Sequence, residues 1–312
     1  MRTSIIFLIQ LLLLTGTLPM EAQSVRSLFT ALEKDDTSSL KNLLQSGADV
    51  NAADTDSDNV LMYAALYASP PAMQILLDYK ANPNQSNKLG ETPLMWSTHD
   101  LQKVKLLVGS GADINAKSAA GNTALLIAAK GTNRLPLVQW LVDHGADCRA
   151  VNNSGENALM RAAEYGDTTL LRFLYDKGIA LSIKDHDSSH VLLSAAENPI
   201  ALRWLVDKMQ ITDATDSMMA EVLTYAVVED EVDVVKALIK KIKNINWSDR
   251  DGYSPLMWAV FNEHMHTDMI KILIDAGANL QHAAKDGTNA LHWARKKGNT
   301  AVVQLLIQSG AK

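Results

Sequence analysis

The sequence predicts an all-α fold: a solenoid of short helix-turn-helix units joined by hairpin loops. Three observations carry that prediction. The stretch Gly90 to Ala116 reads as two short helices closed by a glycine turn. The glycine position returns along the chain at steps of 31 to 35 residues, as Gly47, Lys80, Gly111, Gly145, Gly178, Met209, Ile242, Gly277 and Gly310. Two short motifs keep constant phase with it. Within the unit, Thr92-Pro93 reads as a helix start, with Thr as the N-cap accepting a backbone N–H and Pro where its missing donor costs nothing. Leu94, Met95 and Trp96 give the first helix, and Leu101, Val104, Leu107 and Val108 recur at helical spacing in the second. Gly111 sits where a helix ends in a left-handed turn. Helices this short cannot bury their apolar faces alone, so the unit must stack on copies of itself.

The motifs recur through the chain. Thr92–Met95 returns as Thr123–Leu126, Asn157–Met160, Ser254–Met257 and Asn289–His292; Gly111–Asn115 returns as Gly47–Asn51 and, worn, as Gly277–Leu280. With these residues the chain resembles the ankyrin repeat family, whose period is about 33 residues with a T-P-L-H-x-A signature. The resemblance covers Ser24 to Lys312, about nine repeats. It implies an ankyrin-type helix-turn-helix solenoid with inter-repeat hairpin loops, binding protein partners through first helices and hairpin tips on a concave face. It also implies a histidine network between neighbouring loops. That histidine is kept here only as His292; its counterparts are Met62, Met95, Leu126, Met160, Leu193 and Met257, so apolar packing is expected in its place.

The chain start stands apart. Met1-Arg2 is a short positive region, Ile5 to Leu18 is apolar but short for a bilayer span, Pro19 breaks the run, and Ala22 offers a small residue before a cut. A signal peptide over residues 1–22 is expected, with residues 23–312 as a single array; Met20 fits the cleavage pattern poorly. The alternative is an uncleaved segment that tethers a structural or anchoring scaffold to a membrane. No Cys follows the run, which argues against a lipoprotein. An exported protein, periplasmic or secreted and of bacterial type, is the expectation. The lone Cys148 cannot form an internal disulfide. A net charge of −6 without a basic run makes nucleic acid a poor partner.

Taken in order, the first unit lacks the T-P-L-H start and carries Glu33 to Asp36 between its helices, as suits a terminal repeat. The third and sixth units are two residues short, at Thr98–Leu101 and Ala196–Ile200. The fourth has an extra residue near Thr132-Asn133, and the eighth two around His264–Asp268. Lys80, Met209 and Ile242 must either strain a left-handed turn or adopt another geometry. The least regular section is Asp185–Asn246, expected to be the least stable. The array ends at Lys312 without a polar helix over Val302, Val303, Leu305 and Leu306, a face that assembly could cover.

No catalytic constellation, cofactor motif or complete metal site is found, and no enzyme activity is expected. Asp54, Asp56 and Asp58 alternate as in a calcium loop, but Asn59 and Ala65 stand where Gly and Glu are needed. The pairs His144 with Cys148 and His264 with His266 lack further ligands. One stripe is informative, the position before the small pair of each first helix: Tyr63, Trp96, Ile127, Arg161, Ser194, Tyr225, Trp258 and Trp293. Five aromatics in eight units is a concentration in a chain with 5% aromatics, and such rings anchor protein interfaces. Packing between units is the competing account. The next exposed positions, Tyr67, His99, Lys130, Tyr165, Phe261 and Lys296, join them as expected contacts. Trp140 and Trp204 lie on second helices and are expected in the core.

Overall fold

A computed structural model describes residues 20–165, 167–179, 191–208, 216–262 and 266–312. Met209, His264, residues 1–19, and residues 185–190 and 209–215 of the section marked as least regular therefore lie outside the described residues. Among the described residues the structure is helical throughout, with isolated antiparallel bridges only at hairpins (Ala53 with Asn59, Val151 with Asn157, Ala283 with Asn289). None of these helices is long and apolar enough to cross a membrane.

Two compact units divide the chain. The first comprises residues up to Ala128 with Trp140–Asp147; the second comprises Ala129–Gln139 and Cys148–Lys312. In the first, helices α1 (Met20–Glu33), α3 (Val60–Tyr67), α5 (Pro93–Trp96) and α7 (Ala124–Ala128) are the leading helices of their pairs, and α2 (Thr37–Gln45), α4 (Pro70–Asp78) and α6 (Leu101–Gly109) are the following ones. Helix α8 (Leu135–Asp143) is shared by the division. In the second unit the leading helices are α9 (Ala158–Glu164), α11 (Val191–Ser194), α13 (Asp216–Val228), α15 (Pro255–Phe261) and α17 (Ala290–Lys296). They alternate with α10 (Thr168–Asp176), α12 (Pro199–Lys208), α14 (Val232–Ile239), α16 (Thr267–Asp275) and α18 (Thr300–Gln308). Every leading helix after α1 buries a leucine at the equivalent place: Leu61, Leu94, Leu125, Leu159, Leu192, Leu223, Leu256 and Leu291; α1 buries Leu28 and Leu32.

Helix starts follow one device. Asn59, Thr123, Asn157, Ser254 and Asn289 accept, through their side chains, the N–H three residues on, at 2.8 to 3.3 Å. Thr92 does not behave as the sequence suggests. Its own carbonyl takes the Met95 N–H in a tight turn, so the hydroxyl has nothing to accept and is buried without a hydrogen-bond partner. The shortened third unit leaves α5 one turn long, and that turn is too tight for the side-chain cap.

Helix ends follow another. At Gly111 the Gly N–H reaches Val108 O and the Ala112 N–H reaches Leu107 O, which satisfies carbonyls the helix leaves bare. Lys80 makes the same pair of bonds at φ 70°, so the chain holds a left-handed lysine there. Ile242 takes the other course: it has no positive φ, and the N–H groups of Lys241 and Ile242 both close on Leu238 O. Asn133 absorbs the extra residue of the fourth unit in a left-handed conformation, φ 58°.

Side-chain amides then tie each turn to the next. Asn84 donates to Gly111 O and accepts from the Asp113 N–H; Asn115 does the same with Gly145 and Asp147, and Asn246 with Gly277 and Asn279. These ties work where the counterparts of His292 are apolar: Met62, Met95, Leu126, Met160 and Met257 are buried, while His292 is exposed. Trp140 and Trp204 are only half-buried, which corrects the expectation of core positions. Trp140 stacks on His144 at 3.8 Å, and Trp204 meets Tyr175 edge-on at 5.7 Å.

Candidate partner-binding face

Every residue of the stripe is half-buried: Tyr63, Trp96, Ile127, Arg161, Ser194, Tyr225, Trp258 and Trp293. The leading helix begins right after its hairpin, so a long side chain one turn in reaches back to that hairpin. Five of the eight use this. Trp96 Nε1 donates to Glu91 Oε2 at 3.0 Å, Trp258 Nε1 to Asp249 Oδ2 at 2.9 Å, and Trp293 Nε1 to Thr288 Oγ1 at 3.1 Å. Tyr63 Oη donates to Asp54 Oδ2 at 3.4 Å, and Arg161 forms an ion pair with Glu156 at 2.9 Å. Burial pushes the Glu156 carboxyl up, but the hydrogen bonds from Arg161 and Asn152 outweigh it and hold the group below its ordinary value. Arg161, a stripe member that is not aromatic, thus makes the same tie by other chemistry. The signal was present: Glu91, Glu156 and Thr288 all stand right after a hairpin glycine, five residues before their partner.

The flanking positions are exposed as expected: Tyr67 (57%), Tyr165 (38%) and Phe261 (40%), together with His99, Lys130 and Lys296. The structure gathers the predicted residues into separate groups. In the first unit Tyr63 stacks flat on Phe29, centroids 4.0 Å apart, with Tyr67 at 5.8 Å. Phe29 was not anticipated, because the first unit lacks the start motif that gives the register. In the second unit Tyr253, Trp258, Phe261 and Trp293 form one cluster, with successive centroids 5.0 to 5.7 Å apart. Lys296 lies over Trp293 at 4.5 Å and Lys297 over Phe261 at 4.7 Å. Lys130 lies 5.8 Å from the Tyr165 ring. Tyr225 has Glu229 and Glu197 near it; burial first, then those charges, raise its phenol.

The alternating aspartates have internal uses. Asp54 accepts the N–H groups of Asp56 and Asp58 through one oxygen. Among the described residues no group of three or more His, Cys, Asp or Glu is placed to hold a metal. His144 bonds Trp140 O, and His266 faces Asp230 at 3.4 Å.

Comparison with known proteins agrees with the repeat geometry. A family model described as ankyrin repeats (3 copies) matches residues 28–118, 97–185 and 223–312. Residues 186–222 fall between copies, within the section least regular in sequence. A stretch of 82 residues is 32% identical to palmitoyltransferase AKR1 of Lachancea kluyveri; it spans 26% of this chain and only 11% of that protein. With helix pairs, glycine turns and amide ties in register, and the family model matching well over half its length, the chain belongs to the ankyrin-repeat family.

Proposed function

We propose that this protein is an exported binding module, a single array of about nine repeats over residues 23–312. It holds a partner protein on its leading helices and hairpin tips and performs no chemistry of its own. One observation carries the reading. Half-buried rings at one repeat position have their polar ends tied to their own hairpins, so they present a fixed edge to solvent. Rings immobilised before binding lose little entropy on contact, which is what makes Trp and Tyr effective anchors. Export rests on the charged start and the apolar Ile5–Leu18; a mature N-terminus still at Met1 in a membrane fraction would favour the tethered scaffold instead.

The test is affinity against stability on the same variants. A partner retained from native extract should bind Trp258→Ala and Phe261→Ala about tenfold or more weakly, roughly 1.4 kcal/mol, while circular dichroism stays near native and most of the melting temperature is kept. Variants that melt early yet bind as tightly as the parent below their transition would return these rings to packing alone.

A further inference from the structure

We infer that the face made by Trp258, Phe261 and Trp293 with Lys296 and Lys297 takes an acidic segment of a partner protein, one that sets an aromatic or branched apolar side chain between carboxylates. The inference rests on the protein-binding reading above and adds the chemistry of the ligand.

Two features of this face select for such a segment. The first is apolar. Phe261 ends α15 with 40% of its surface exposed, edge-on to Trp293 at 5.0 Å and to Trp258 at 5.7 Å. An exposed ring braced on two half-buried ones offers a firm apolar step for a side chain to cover.

The second is charge. The Lys296 and Lys297 ammonium groups stand over these rings, and both side chains are exposed. An ammonium over a ring face keeps its full charge, so it still attracts a carboxylate. Among the described residues neither lysine is in an ion pair; Lys297 also donates to the Phe261 carbonyl. The neighbouring acids are already engaged. Asp249 accepts from the N–H groups of Asp251 and Tyr253 and from Trp258 Nε1. Asp286 accepts from Thr288 twice and from the Tyr253 hydroxyl. Among the described residues the two ammonium groups have no carboxylate partner, while Asp249 and Asp286 keep their charge but are held within their own loops by neutral donors.

The same acids exclude a long uniform polyanion. Asp249, Asp251 and Asp286 border the cluster, and the chain as a whole carries −6. A nucleic acid backbone crossing the face would meet them at every step, whereas a short segment can place its carboxylates on the two lysines alone.

The experiment pans a randomised display library of peptides against the full chain. Enriched peptides should combine Asp or Glu with an aromatic or branched apolar residue. A synthetic copy should bind Lys296→Glu and Lys297→Glu about tenfold or more weakly, with loss of affinity as salt rises. Melting curves of both variants near the parent's keep the comparison valid; if Lys297→Glu unfolds, Lys296→Glu decides alone. Neutral or basic enriched peptides, no enrichment at all, unchanged affinity in a folded Lys296→Glu, or preference for single-stranded DNA or anionic vesicles over the peptides would overturn it. A native protein partner that needs Phe261 but tolerates Lys296→Glu would overturn this inference and leave the protein-binding reading standing. Failure of the chain to hold any protein partner would overturn that reading as well.

Discussion

The face on α3 and α5 and the face on α15 and α17 use the same positions of the repeat and reach opposite electrostatics. Around Tyr63 and Trp96 the neighbours are acids: Asp54 and Glu91 accept from the rings, and Asp58 stands beside them. Burial, then crowding by Asp54, Asp56 and Glu91, raises the Asp58 carboxyl above its ordinary value even though Asn87 bonds to it. At the second face Trp258 also donates to an acid, Asp249, but the Phe261 and Trp293 ring faces carry ammonium groups. The capping of the leading helices differs in the same sense. Carbonyls at the end of α3, Ala64 and Ala65, accept Lys103 Nζ at 3.1 and 2.8 Å, and that lysine is 4% exposed. The carbonyl at the end of α15, Phe261, accepts Lys297, which is exposed. The lesson is that a repeat motif places the ring, while residues outside the motif decide what the ring's surroundings attract.

The largest expected effect tests the two caps. Lys103→Ala should lower unfolding stability by about 2–5 kcal/mol, since it opens a cavity and takes a donor from the Ala65 carbonyl and from the Ala64 carbonyl, which keeps the Ala68 N–H. Lys297→Ala, in water, should cost about 1 kcal/mol or less. Equal losses in denaturant titrations would erase the distinction. The pH dependence has a definite sign. Burial holds the Lys103 ammonium below its ordinary 10.5, with Asp100 and Asp35 opposing. Between the lowered folded value and 10.5 the unfolded chain binds more protons, so this lysine's contribution rises with pH in that window. The stability difference between the parent and Lys103→Met should therefore grow on moving into it from below.

Arg161 tests an intermediate case, a cation in the ring position. Arg161→Ala should cost about 1–2 kcal/mol, the lower end being favoured because Glu156 is 36% exposed. Glu156 is held below its ordinary 4.5, so the pair's contribution is present above that value and is lost as pH falls through the folded one. An acid-side stability loss identical in Arg161→Ala and the parent would show that the tie contributes nothing. The smallest effect is a gain. Lys80→Gly relieves a left-handed lysine in the first unit and should stabilise by about 1 kcal/mol. A loss on thermal melting would mean that the lysine side chain does more than fill the turn.

By itself the sequence determined the period, the helix pairs, the glycine turns and the stripe. Each of these follows from spacing within about one repeat: apolar residues three and four apart, a capping residue before them, a glycine after. It also marked the positions that expose Tyr67, Tyr165 and Phe261, because one face of a short helix is readable from neighbours in the chain. What only the tertiary structure decided depends on residues about 26 to 39 apart, from successive units. Lys103 could be read as an exposed charge until the carbonyls of α3 were seen around it. The amide ties of Asn84, Asn115 and Asn246, the stacking of Phe29 on Tyr63, and the lysine over Phe261 arise where one unit's loop or helix end meets the next. Local spacing fixes which way a side chain leaves its helix, but what it meets belongs to stacking, and stacking is written in no single repeat.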